Sequence, residues 1–262
     1  MATPFSTLMR TARGDAGVVA VEVPADWMQG RSVFGGLQVA IALHAMRALV
    51  PETALRTVQA TFVAPVAEGR VAANARVLRS GKNATHVEAR IVDGAATLAI
   101  VIGVFGAARS SPVAVTPHQP RVEVGPTFEF RFVPGLMPSF VQHFDARWLR
   151  GMPPFTGDTA CEHVLEVGMR DEGPTTEGHV VAIADFIPPL GLSHLVAPAP
   201  GSTLTWMLEL LDDRTDRLPL AGWRVDAELV AARDGYTSQS VMVWGPGGEP
   251  VALSRQSMLV FG

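Results

Sequence analysis

Two stretches of the chain alternate apolar and polar positions in the same punctuated order. The first runs from Gly69 to Gly106 and the second from Gly222 to Gly262. In each, an alternating run leads to a glycine turn (Gly81 or Gly235), then a second run, a second turn (Gly94 or Gly248) and a third run. Gly81 and Gly94 are thirteen positions apart, as are Gly235 and Gly248. The closing tripeptides, Val104-Phe105-Gly106 and Val260-Phe261-Gly262, are identical. Period-two alternation predicts strands, and Asp93-Gly94 and Gly247-Gly248 are hairpin signals. Each block therefore predicts a three-stranded antiparallel meander, and the chain reads as an internal repeat.

One helix is predicted upstream of each meander. From Gly36 to Leu49 the chain is apolar almost all round, interrupted only by Gln38, His44 and Arg47. A helix without a polar face is a buried helix, and Pro51 marks its end. The second candidate, Glu177 to Phe186, is shorter and stops at Pro188-Pro189. Between the halves, residues 110–126 carry Pro112, Pro117, Pro120 and Pro126 without an apolar period, the mark of a linker. Each half is then a buried helix followed by a meander, an α+β arrangement. Two copies predict two such sheets joined into one.

Composition narrows the function classes. Of 262 residues, 48% are hydrophobic and 18% charged, so a sizeable core is expected. A net charge of −4, with Lys82 the only lysine, argues against a nucleic-acid partner. Cys161 is the only cysteine, which excludes an intrachain disulfide and a Cys-based metal site; a buried, unreactive thiol is expected. The seven histidines show no metal spacing, and His44 and His179, on the helix candidates, read as structural. Residues Met1 to Arg13 lack the apolar core and cleavage site of a signal peptide, and no run is long enough to span a membrane. A cytoplasmic protein without a membrane partner is expected. No G-x-S-x-G elbow occurs, which disfavours an α/β-hydrolase. Gly245 to Gly248 lies in a hairpin and is no phosphate loop.

Several stretches carry a family resemblance. They are Val33-Phe34-Gly35-Gly36 with the Ala-rich helix, Val50-Pro51, and Phe62-Val63-Ala64-Pro65. Val77-Leu78-Arg79-Ser80-Gly81-Lys82 and Val251-Ala252-Leu253-Ser254-Arg255-Gln256 complete the set. In this order they resemble the acyl-CoA thioesterases of the double hot-dog type, such as bacterial acyl-CoA thioesterase II. The resemblance implies a double hot-dog fold, each repeat a central helix wrapped by an antiparallel sheet. It divides the chain into an N-terminal repeat (1–109), the linker (110–126) and a C-terminal repeat (127–262) carrying the catalytic residues. It also implies hydrolysis of an acyl-CoA to a free acid and CoA, without a metal or other cofactor. In that family an Asp, a Thr and a Gln of the second repeat hold and activate the attacking water; here they fall on Asp185, Thr203 and Gln256. The chain departs from the pattern at Thr205-Trp206, where that bacterial enzyme has an acidic residue and a histidine.

The residues themselves bear on each assignment. Ala182, Ile183, Ala184 and Phe186 surround Asp185, and apolar burial raises a carboxylate toward the range of a useful base. The competing reading is a helix-end Asp turned to solvent. Gln256 has as its counterpart in the first meander only the aliphatic window Ile100 to Ile102; it is either a hydrogen-bonded buried amide or a residue on an exposed strand face. Thr203 alone reads equally well as an ordinary strand residue. Gly35 and Gly36 open the first helix, where free N–H groups converge, and are candidate donors to the thioester oxygen. Arg79 and Lys82, at a turn tip, read as solvated more readily than as CoA-phosphate ligands. Two rivals stay open: a non-catalytic acyl-CoA or acyl-carrier binding protein, and a hot-dog enoyl-CoA hydratase, whose Asp–His motif is not found. A homo-oligomer is left open as well.

Overall fold

Both glycine-punctuated blocks fold as three-stranded meanders. In the computed structural model, which describes residues 2–123 and 127–261, the first half opens with helix α1 (Phe5–Thr11). Strands β1 (Arg13–Asp15), β2 (Val18–Val23), β3 (Met28–Gln29) and β4 (Ser32–Val33) lead into α2 (Gly35–Arg47). Strand β5 (Leu55–Phe62) follows, then the meander β6 (Gly69–Ser80), β7 (Thr85–Asp93) and β8 (Ala96–Phe105). The second half begins with β9 (Phe128–Phe130), β10 (Phe144–Arg150) and β11 (Glu162–Met169), followed by α3 (Glu177–Ala184). It closes with β12 (Gly201–Leu210) and the meander β13 (Trp223–Arg233), β14 (Tyr236–Trp244) and β15 (Pro250–Val260).

Apart from the β3–β4 pair, these strands form one thirteen-stranded sheet in the order β1-β2-β6-β7-β8-β5-β12-β15-β14-β13-β11-β10-β9. The seam is β5 against β12, with Thr61 opposite Thr205 and Thr57 opposite Glu209. Outward from it the order is β8, β7, β6, β2 on one side and β15, β14, β13, β11 on the other, a pseudo-twofold arrangement. The continuous sheet expected from the repeat is thus present. Helices α2 and α3 pack against each other and against the sheet, each buried nearly all round. Among the described residues, no helix is long and apolar enough to cross a membrane.

Local chemistry sets the helix limits. Thr176 caps α3: its Oγ1 accepts from the His179 N–H, and its own N–H donates to His179 Nδ1 at 3.0 Å. That leaves His179 Nε2 to donate to Asp171 at 3.0 Å, while Ser6 of α1 holds the same carboxylate. His179 is therefore a structural residue tying α1 to α3, and burial keeps its pKa low despite Asp171. At this same end of the helix pair, Arg47 in the last turn of α2 pairs with Glu177 in the first turn of α3. A cation at a helix C-terminus and an anion at an N-terminus both suit the helix dipoles.

Several expectations shift in detail. The helices span Gly35–Arg47 and Glu177–Ala184, slightly offset from the predicted limits. The linker forms no helix or strand among its described residues, yet the Pro120 carbonyl accepts from Arg224 at 2.8 Å, so it lies along the second meander. Pro126 and the closing Gly262 lie outside the described residues. Cys161 is exposed, not buried. It sits in the bend just before β11, and the buried position on that face goes instead to His163. Arg79 and Lys82 are exposed, as expected for a turn tip.

The counterpart of Gln256 also needs correcting. Matching bulges interrupt the two meanders after Val77 opposite Val87, and after Leu229 opposite Gln239. Val87 pairs across with Gly103, and Gln239 with Gln256. Gln256 therefore corresponds to Gly103, just past the window Ile100 to Ile102, because the bulges and unequal turns shift the register. A Cβ at Gly103 would come within 2.7 Å of Met46 Sδ. The first repeat fills with a methionine the place where the second puts an amide.

Candidate active site

The N-terminus of α2 has no cap from its own sequence: Phe34 precedes it and offers no side-chain acceptor. Helix N-termini leave several N–H groups unpaired, so an acceptor must come from elsewhere. It comes from α3. Pro188-Pro189 stop that helix, and Asp185 at its C-cap turns to the start of α2, where the Gly36 N–H donates to it.

Asp185 is buried, with 8% of its surface exposed, and Gln256 Nε2 donates to its Oδ1 at 2.6 Å. Burial pushes its pKa up to about 7, and the Gly36 and Gln256 donors pull it only part of the way back. No charged neighbour contributes to the shift. A carboxylate in an apolar setting, held by two neutral donors, is thereby poised to exchange a proton near neutral pH. The solvent-facing reading of Asp185 does not hold.

Gln256 is fully buried, on a strand face shared with Ser254 and Met258, which are buried too. Its amide is committed at both ends: Nε2 donates to Asp185, and Oε1 accepts from Gln239 Nε2 at 2.9 Å. Trp206, at the point of departure from the family pattern, packs in the core beside Gln256 and donates to Ser254 Oγ at 2.8 Å.

Asp185 opens onto a cavity of about 230 Å³ between the start of α2, the end of β5 and the start of β12. Gly35, Gln38, Phe62, Pro189 and Thr203 line it with Asp185. Thr203 is half-buried beside the bulge that separates it from Thr205, and shares the cavity with Asp185 without a side-chain hydrogen bond to it among the described residues. The two glycines differ. Gly35 faces the cavity, and its N–H has no backbone acceptor among the described residues. Gly36 lies behind it, with its N–H given to Asp185. A Cβ on Gly35 would stand 2.7 Å from Asp185 Oδ2 and 3.3 Å from the Phe62 ring, so only glycine admits this close approach.

Two residues of the site escaped the sequence reading. Gln38 is buried and donates to the Val33 carbonyl at 2.6 Å, leaving its Oε1 unpaired at the cavity wall. Gln239 stands behind Gln256. Its signal was the alternation Thr237, Gln239, Val241, Val243, which puts an amide on the core-facing side of a strand. Arg79 and Lys82 lie toward the Phe105 end of the first meander, whereas the cavity lies at the Phe62 end of β5.

Two helix-wrapped repeats sharing one continuous sheet define a double hot-dog protein. Residues 23–106 match the family model of the acyl-CoA thioesterase N-terminal domain, and residues 112–260 that of the acyl-CoA thioesterase C-terminal domain. The chain belongs to the acyl-CoA thioesterase family, and it is a thioesterase. Similar solved structures include a conserved protein of unknown function with a hot-dog fold from Alicyclobacillus acidocaldarius, 21% identical with a TM-score of 0.85 over 98% of each chain. A tesB protein of Mycobacterium avium subs paratuberculosis is 14% identical, with a TM-score of 0.78 over 100% of each chain. The acyl-CoA thioesterase II TesB2 of Mycobacterium marinum is also 14% identical, with a TM-score of 0.73 over 97% of this chain and 96% of that one. No curated protein sequence matches the chain.

Proposed function

We propose that the chain hydrolyses an acyl-CoA to a free acid and CoA at the cavity of Asp185. The observation that carries this reading is a buried carboxylate, held by Gln256 and the Gly36 N–H, opening onto a cavity shared with Thr203. A water between Asp185 and the thioester attacks the carbonyl carbon as Asp185 takes its proton. The oxygen of the tetrahedral intermediate gathers negative charge, and the Gly35 N–H at the positive end of α2 faces it. The carbon–sulfur bond then breaks, and the thiolate leaves with the proton that Asp185 had taken, which restores the carboxylate. Thr203 orients the water, and Gln256 acts one step back by fixing the carboxylate. No step calls on a cofactor.

Steady thiol release from a panel of acyl-CoAs tests the reading. Stoichiometric binding of an acyl-CoA without turnover would favour the non-catalytic binding protein instead.

Two further results are expected. The first repeat has Gly103 where the second has Gln256, and no carboxylate within α2. Active-site titration should therefore count one turnover-competent site per chain; two would contradict the assignment. The Gly35→Ala variant should lose at least roughly tenfold in kcat, since its methyl displaces the Asp185 carboxylate from its position. Wild-type kcat in a folded Gly35→Ala protein would place the reacting carbonyl elsewhere.

A further inference from the structure

We infer that Gln239 is a positioning residue for this reaction: it fixes the orientation of the Gln256 amide and thereby the way Asp185 is held. The inference rests on Asp185 being the base.

A carboxamide has two orientations of similar shape and opposite polarity. One turns the Gln256 NH₂ toward Asp185 and donates. The other turns its oxygen toward a carboxylate oxygen, an unfavourable contact of two acceptors where the amide itself is shut off from solvent. Gln256 cannot choose between them by itself. Gln239 chooses, because its own orientation is set by a group that cannot flip. The backbone N–H of Leu190 donates to Gln239 Oε1 at 2.9 Å. That leaves Gln239 Nε2 to donate to Gln256 Oε1 at 2.9 Å, and Gln256 Nε2 to donate to Asp185 Oδ1 at 2.6 Å. Both glutamines are fully buried, so solvent cannot satisfy the reversed arrangement.

The relay joins three elements that only the tertiary fold brings together. Leu190 begins the short 3₁₀ turn Leu190–His194 that follows Pro189, itself part of the cavity wall. Gln239 and Gln256 are cross-strand partners on β14 and β15. The pseudo-equivalent pair in the first repeat is Val87 and Gly103, with no amide at either place. The relay is confined to the half that carries the acid, as a part of the reaction machinery would be and a generic feature of the meander would not.

The test compares Gln239→Met, which keeps length and burial but cannot donate, with Gln239→Glu. In the Met variant, kcat should fall about tenfold or more with KM nearly unchanged, and the midpoint of the pH–rate profile should move upward as Asp185 loses a fixed donor. In the Glu variant the ionised side chain should attract the Gln256 NH₂ and turn its oxygen toward Asp185, giving the larger loss and the larger upward shift. A folded Met variant with wild-type kcat and pH midpoint would overturn the inference, whatever its melting temperature. Asp185→Asn is assayed alongside. If it keeps turnover, the base assignment fails; if it is inactive while Gln239→Met is normal, only the relay fails. Should the Gln239 variants not fold, NMR of the wild-type side-chain amides decides. The Gln239 and Gln256 NH₂ protons should exchange slowly and shift together as Asp185 titrates. Rapid exchange, or no shift at Gln239, would overturn the inference.

Discussion

Asp185→Asn is expected to reduce thioester turnover by roughly a hundredfold to ten-thousandfold, the usual loss when a positioned general base is removed. The substitution is nearly isosteric, so it opens no cavity. Its amide oxygen can still accept from one of the two donors, Gln256 Nε2 or the Gly36 N–H, but the side chain can no longer take a proton from water. Stability provides the control. The folded-state pKa of Asp185 is raised from the ordinary value of 3.8 to about 7. The protonated folded state is thus favoured below about pH 4, and that advantage is lost as pH rises toward 7. The cost of an ionised carboxylate here is bounded at roughly 4 kcal/mol, taking about 1.4 kcal/mol per pH unit. Asn pays no such cost. The melting temperature of the variant should therefore gain on that of the wild type between pH 5 and pH 8, because the groups common to both cancel in the difference. Activity within about threefold of wild type would remove Asp185 from the mechanism. Parallel melting curves across that pH range would mean that the carboxylate is not held in the buried, proton-retaining state described above.

The pH–rate profile is the second large effect. A base works only when ionised, and an Asp with a pKa of about 7 is ionised to roughly one part in a hundred at pH 5. Between pH 8 and pH 5, kcat/KM on a substrate of constant charge should fall by about two orders of magnitude, nearly tenfold per unit below the midpoint. An ordinary exposed aspartate would titrate near 4 and leave the profile flat over this range. The buried histidines do not produce the same curve: burial lowers the pKa values of His143, His163 and His179, and none of them lines the cavity. A flat profile from pH 5 to 8 would count against Asp185 as the base even if Asp185→Asn were inactive.

The architecture was legible in the sequence wherever local order carries it. Glycine spacing and period-two alternation located both meanders, since turns at Gly81, Gly94, Gly235 and Gly248 need no distant partner. The all-round apolar stretches located both helices, since a helix without a polar face has to be covered. Less was legible between residues 128 and 170. There β9 is three residues long, and β10 and β11 are strands because they complete the β13 edge of the sheet, not because of a strong local period. Cys161 came out exposed for a related reason: burial at a strand entrance depends on where the strand starts.

The site divides along the same line. Residue type and apolar neighbours picked out Asp185, and the absence of an amide in the sister strand marked Gln256 as unusual. Only the tertiary structure decided what these residues do to one another. Asp185 and Gln256 are 71 positions apart, and Leu190 and Gln239 are 49 apart. Such contacts leave no periodic trace along the chain. Likewise Gly35 and Gly36 look equivalent in sequence, yet the helix places one N–H at the cavity and gives the other to Asp185. Strands, turns and helices follow from interactions among near neighbours, which the sequence writes down in order. The polarity of a buried hydrogen-bond relay, and the proton affinity of the acid at its end, follow from burial and from donors that come together only once the sheet has closed around its helices.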